Sequence, residues 1–214
     1  MQNAVSHHGN QNGRHTMNET GKSAIRRGRE PVFIQRYFRG VGIDIGAGDH
    51  SLNHYAHLFP LMGRVVAWDQ PQGDAQLMPG VPDNTFDFAH SSHCLEHLRD
   101  PVQALTRWVN IVKPGGYVIV TIPDEDLYEK GLWPSRFNSD HKLSFTIGKP
   151  RDVPRLPNSV NVLDLMNAML PLASCERVVL IRDFYDDRRP NVDQTAEGIA
   201  ECAIEFVLRK HPAA

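Results

Sequence analysis

Val41-Gly42-Ile43-Asp44-Ile45-Gly46-Ala47-Gly48-Asp49-His50 is an apolar run closed by two glycines one residue apart, with carboxylates on either side. A short apolar run bounded by turn residues reads as a buried strand. Glycines at its tip let the backbone turn sharply and approach a ligand with no Cβ in the way. Working outward, strand patterns recur at 64–69, 86–91, 117–123, 177–184 and 203–209. Helical patterns separate them at 50–59, 101–112 and 160–170, with Pro101 at a helix start. This alternation predicts an α/β fold, a largely parallel sheet with helices on both faces.

The chain has 214 residues, 41% of them hydrophobic, enough for one domain with a sizeable core. That domain is expected at 23–214, after a polar tail at 1–22 whose few large apolar side chains cannot offset its ordering entropy. His7, His8 and His15 in the tail have no fixed geometry for a metal. Lys and Arg (23) nearly cancel Asp and Glu (25), so the electrostatic footprint of a dedicated nucleic-acid binder is missing. Cys94, Cys175 and Cys202 are far apart and odd in number, which argues against a disulfide scaffold and a CxxC zinc site. The longest clean apolar stretch, 117–122, is far short of a membrane span, and the N-terminus carries no apolar secretion signal, so a cytoplasmic setting is expected. From 22 to 39 the chain turns basic, either as a solvated amphipathic face or as a contact for an anionic substrate.

Two nucleotide-type ligands compete for the glycine loop. A dinucleotide sets its pyrophosphate on a helix N-terminus, usually beside a third glycine. Here the third position is Ser51, and Asp49 would repel a phosphate. S-adenosylmethionine has no phosphate and carries a sulfonium and an ammonium, so carboxylates suit it. Asp69 ends the second strand, where a carboxylate can accept both ribose hydroxyl protons of either ligand; a plain strand-end turn residue is the other reading.

From Gly73 the sequence reads GDAQLMPGVPDNTFDFAHSSHCLEHLRDP and then ALTRWVNIVKPGGYVIVTIPDED. Over residues 40–124 the chain resembles class I S-adenosylmethionine-dependent methyltransferases of the methyltransferase type 11 kind. The resemblance implies a Rossmann-like, seven-stranded, mostly parallel sheet whose last strand is antiparallel. It implies S-adenosylmethionine as cofactor and S-adenosylhomocysteine as product. Asp44, Gly46 and Gly48 match the motif lining the methionine end, Asp69 the ribose carboxylate, and Asp74 with Ala75 the pair that reads the adenine edge. His90 and Ser91 fall where a strand ends beneath the methyl group; Leu95-Glu96-His97 resembles a helix start and Lys113-Pro114-Gly115-Gly116 the turn before the fifth strand. His50 departs from the pattern, standing where many relatives have a small residue.

His90, His93 and His97 invite a metal reading, but no Cys or carboxylate stands at a matching spacing and no metal is expected. His93 is placed instead against the acceptor. Residues 124–160 break the strand–helix rhythm, as a functional loop does. Tyr128, Trp133, Arg136 and Asn138 there offer the aromatic and polar mixture that a sugar-like or anionic acceptor needs; a surface loop covering the core is the plainer account. A hydroxyl acceptor also needs a base, and His141 is preferred because imidazole titrates near neutrality, with Asp124 second. Whether Asp140 assists His141 stays open. The expected activity is methyl transfer to a small-molecule acceptor, at a hydroxyl of a sugar or glycan precursor. The alternatives are a phosphorylated small molecule or natural product methylated at O or N, a non-catalytic S-adenosylmethionine-binding interaction protein, and a nicotinamide-dependent oxidoreductase.

Overall fold

Strand β1 (Gly40–Ile45) forms where the apolar run was read, and its neighbours follow in the computed structural model, which describes residues 17–149, 153, 156–196 and 198–213. Helices α1 (Glu19–Gly28) and α2 (Pro31–Tyr37) precede it. After it come β2 (Met62–Trp68), β3 (Phe86–Ser92), α3 (Pro101–Ile111), β4 (Val112–Pro123), β5 (Ser144–Thr146), β6 (Ser159–Asn161), α4 (Val162–Met169), β7 (Ala173–Ile181) and β8 (Ala203–Lys210). The main sheet has the order β2-β1-β3-β4-β8-β7, and β5 and β6 form a small parallel pair. Strand β8 runs antiparallel to both β4 and β7, as expected of the last strand.

The sheet has six strands where seven were expected. Between β2 and β3, Pro71, Pro79 and Pro82 withhold backbone donors, and Asp74 Oδ1 accepts the Gln76 and Leu77 N–H groups (2.7 and 3.3 Å), so the chain turns instead of pairing. The helix expected at 50–59 is a 3₁₀ turn, Leu52–Leu58. Asp44 Oδ2 takes the Leu52 N–H (2.6 Å) and Asn53 Nδ2 donates to Val65 O (3.0 Å), binding this short piece to the sheet. Residues 19–22 of the stretch read as tail are already helical: Asn18 Oδ1 caps α1 through Gly21 N–H (2.8 Å), and buried Lys22 donates to Thr195 O (2.6 Å). The tail histidines His7, His8 and His15 lie outside the described residues.

Period-two alternation along the strands divides the core between the two faces. On one face Ile43, Ile45, Val118, Val120 and Phe206 pack with Leu105 and Trp108 of α3 and Leu165 and Met166 of α4. On the other, Phe88, Ile119 and Val207 meet Ala24 of α1 and Phe33, Ile34 and Tyr37 of α2. Parallel strands buried on both faces in this way deliver their carboxyl ends to one rim, where crossover loops form sites. No helix among the described residues is long and apolar enough to cross a membrane.

Candidate functional site

Along that rim runs a cavity of about 640 Å³, lined among others by Gly46, Asp69, Asp74, Ala75, His93 and His97. Its size falls within the range of small-molecule sites. Gly46 is required here twice over: its φ is 75°, and an added Cβ would stand 2.5 Å from Cys94 Cβ. Asp69 fastens the loop, accepting the Gly48 N–H on Oδ2 (2.5 Å) and the Gln70 N–H on Oδ1 (2.6 Å). Each of its oxygens keeps lone-pair capacity for a ligand hydroxyl. At the far end Ala75 gives its carbonyl to Trp108 Nε1 (2.9 Å), while its N–H has no partner among the described residues. Asp74 Oδ2 stands 3.9 Å from an Arg99 nitrogen. A free N–H beside a carboxylate suits the donor–acceptor edge of a purine, and the bare glycine backbone suits a close ligand; the residues present fit an adenosyl cofactor.

Asp44, His90 and Ser91, read from the sequence as cofactor contacts, lie beneath this cavity with their side chains committed inside the protein. Ser91 Oγ donates to Ile45 O (3.0 Å). His90 donates from Nδ1 to Asp44 Oδ1 (2.7 Å) and accepts at Nε2 from Arg27 (2.9 Å). The fully buried Arg27 also reaches Glu205 Oε2 (2.8 Å) and Thr121 Oγ1 (2.8 Å). So a chain of polar contacts ties α1 to Asp44, which holds the Leu52 N–H just past the glycine loop. Much of the basic stretch at 22–39 turns inward: Arg26 pairs with Glu201 and Glu205.

The acceptor-side residues gather at the 124–142 segment. His141 is buried, and its Nδ1–H donates to Glu129 Oε1 (2.6 Å), leaving the Nε2 lone pair free. Asp140, its chain neighbour, turns the other way and accepts from His97 Nδ1 on Oδ2 (2.9 Å). The His97 and His141 rings stand edge to face, centroids 5.0 Å apart, so His141 lies one ring behind the cavity wall. Tyr128 packs beside His141 (5.4 Å) and Phe137 (5.8 Å). Trp133 is partly exposed, Arg136 is exposed over Phe137, and Asn138 Oδ1 accepts the Asp140 N–H (3.1 Å). His93 lines the cavity with φ at 55°, a left-handed conformation that a non-glycine residue adopts only under constraint. His50 is exposed and away from the cavity lining.

Two residues escaped the sequence reading. Glu129 carries no motif, and only the fold of the loop brings it to His141. Glu96 was visible in Leu95-Glu96-His97, but not its condition: it is 0% exposed and, among the described residues, neither carboxyl oxygen has a hydrogen-bond partner. Desolvation pushes its carboxyl up to about 8.

Asp124 does not line the cavity. Its Oδ1 accepts the Asp126 and Leu127 N–H groups (3.0 and 2.9 Å), and burial raises its carboxyl to about 6 despite them. The folded protein therefore holds a proton that the unfolded chain has lost between about pH 4 and pH 6, so stability declines as pH climbs through that window. Asp124→Asn keeps an oxygen for the two N–H groups and removes the charge. Unfolding at pH 8 is expected to show the variant more stable by up to about 3 kcal/mol, with the gap closing below pH 4.

A family model described as a methyltransferase domain matches residues 27–150. An uncharacterized methyltransferase of Schizosaccharomyces pombe is 41% identical over 59 residues, 28% of this chain and 20% of that protein. The match thus spans about a fifth of that relative's length. A methyltransferase structure from Archaeoglobus fulgidus, described as dependent on S-adenosylmethionine, shares the fold with a TM-score of 0.55 at 14% identity, over 88% of this chain and 94% of its own. One of the same description from Aquifex aeolicus gives 0.50 at 13% identity, over 84% and 88%.

Proposed function

The chain belongs to the methyltransferase-domain family, whose donor is S-adenosylmethionine, and from that premise we propose that it methylates a hydroxyl of a small-molecule acceptor, a sugar or glycan precursor. The observation that carries this reading is the Glu129–His141 pair one ring behind the cavity wall. An amine acceptor needs only to be neutral, whereas a hydroxyl must lose its proton as the new bond forms. A buried imidazole with a carboxylate on Nδ1 and a free Nε2 is the arrangement that activates a hydroxyl. Tyr128 packs beside it and against Phe137, aromatic surface of the kind that suits a sugar ring.

When bound, S-adenosylmethionine supplies a methyl group on a sulfonium, a leaving group that needs no acid. The chain's own part is positioning. Asp69 would hold the ribose, Asp74 and the Ala75 N–H would hold the adenine edge, and the Gly46–Gly48 backbone would clear room for the methionine end. His93 and His97 would face the acceptor, and His141 would take the hydroxyl proton at Nε2 once the acceptor reaches past the His97 ring.

S-adenosylhomocysteine at a hundred times its Kd is expected to raise Tm by about 5–10 °C. NAD at the same concentration is expected to leave it unchanged. Stabilisation by NAD alone would overturn the donor assignment. With the donor confirmed, transfer of label from methyl-tritiated donor to free sugars and sugar nucleotides tests the acceptor. Label only on amines, or on no acceptor at all, would overturn the hydroxyl reading.

A further inference from the structure

We infer that Glu96, His97 and His141 form a binding site for one divalent transition-metal ion at the wall of the cofactor cavity. One ligand atom from each of the three lies within 4.8 Å of the other two, and His141 Nε2 is 4.0 Å from Glu96 Oε1. The sequence reading drew its metal candidates from His90, His93 and His97, and only the folded 124–142 segment supplies His141.

Glu96 points to the ligand. A carboxyl with no exposure and no hydrogen-bond partner among the described residues is costly to ionise in a protein interior, and a cation beside it is what would let it carry its charge there. Among the described residues no Lys or Arg side chain is within ion-pair distance of it; its side-chain ion contact there is His141. Both histidines are prepared in the manner of metal ligands. Each gives its Nδ1–H to a carboxylate, His141 to Glu129 (2.6 Å) and His97 to Asp140 (2.9 Å), so each keeps its Nε2 lone pair. Carboxylates on the outer nitrogen fix ring orientation and raise ligand basicity. Two imidazoles and one carboxylate make a donor set for zinc, iron or cobalt rather than for magnesium or calcium. Bonds of about 2.0–2.2 Å separate the ligands of a tetrahedral zinc by about 3.3–3.5 Å. Movements of less than about an ångström by each side chain therefore close the set. A fourth position remains for an oxygen ligand, water or the acceptor hydroxyl.

This inference rests on the proposed function and deepens it. With a cation on Nε2, His141 acts as a ligand, and the hydroxyl is activated by coordination, its proton leaving to solvent as the metal–oxygen bond forms.

The full chain, stripped with chelator, is titrated with Co²⁺ and followed by visible absorption, with Zn²⁺ in calorimetry. One saturable equivalent is expected, with the absorption bands of nitrogen and oxygen ligation. Glu96→Gln and His97→Ala should each weaken binding at least 10–100-fold while S-adenosylhomocysteine still raises their Tm, which shows that they fold. The triple variant His7→Ala, His8→Ala, His15→Ala should keep the equivalent, separating the site from adventitious tail histidines. Absence of a saturable equivalent, or binding unchanged in Glu96→Gln, overturns the metal site. Label transfer that persists undiminished in chelator overturns the cation's part in activation and leaves methyl transfer standing. Failure to bind S-adenosylhomocysteine overturns the donor assignment instead, whatever the metal result.

Discussion

His141→Ala should bind S-adenosylhomocysteine as tightly as the parent chain and lose about 10²–10⁴ of turnover with any hydroxyl acceptor that supports reaction. The two effects separate because His141 stands one ring behind the cavity wall and does not line the cavity. The loss is large because Nε2 is the atom on which activation turns, whether it takes the proton itself or holds the cation that releases it. Glu129→Gln should fall between: its amide oxygen can still accept the Nδ1–H but supplies no negative charge to a developing imidazolium or to a metal-bound ring. Single-turnover label transfer, paired with calorimetry for the product, reads both quantities. Parental turnover in His141→Ala would remove this residue from the chemistry.

Arg27→Met should cost about 3 kcal/mol or more of folding stability, lowering Tm by roughly 6–12 °C. The guanidinium is 0% exposed and serves Glu205, His90 and Thr121 at once. Removing it leaves Glu205 buried with Arg26 as its remaining close hydrogen-bonded cation, and leaves His90 Nε2 without a donor. The damage should reach the cofactor as well. His90 orients Asp44, and Asp44 holds the Leu52 N–H beyond the glycine loop, so S-adenosylhomocysteine affinity should weaken although Arg27 does not line the cavity. Arg27→Lys retains charge without the planar fork and should recover only part of the stability. Thermal melts with and without S-adenosylhomocysteine measure both consequences. A variant as stable as the parent would show that these contacts contribute nothing net.

The sheet was legible because its signals are local. Apolar runs such as Ile43–Ile45 and Val118–Ile122 bury both faces, and turn residues bound them. The predicted 203–209 segment became β8 within one residue at its C-terminal end. The turn at Gly46 and Gly48 was legible for a related reason, since backbone freedom at a strand tip is a property of the residue type itself. The seventh strand that the resemblance implied has no segment of its own among the strand patterns read from the sequence; between β2 and β3, prolines and an Asp74 turn withhold the donors and the extended backbone that pairing requires.

The acceptor side obeys no such local code. Asp140 is next to His141 in the chain, yet it serves His97, while Glu129, twelve residues upstream, serves His141. Asp44 and His90 carry residue types that suit a cofactor site, and in the fold they bond to each other, His90 also meeting Arg27 and Asp44 the Leu52 N–H. From the sequence alone came the strand order's raw material, because periodicity, glycine and proline act on the chain near themselves, and, through the resemblance of its motifs, the family and the donor. Which carboxylate meets which imidazole, and which carboxylate is left alone at Glu96, depends on distances between segments far apart in the chain. Hydrogen bonds and charges act over a few ångströms of space, and only folding fixes those ångströms.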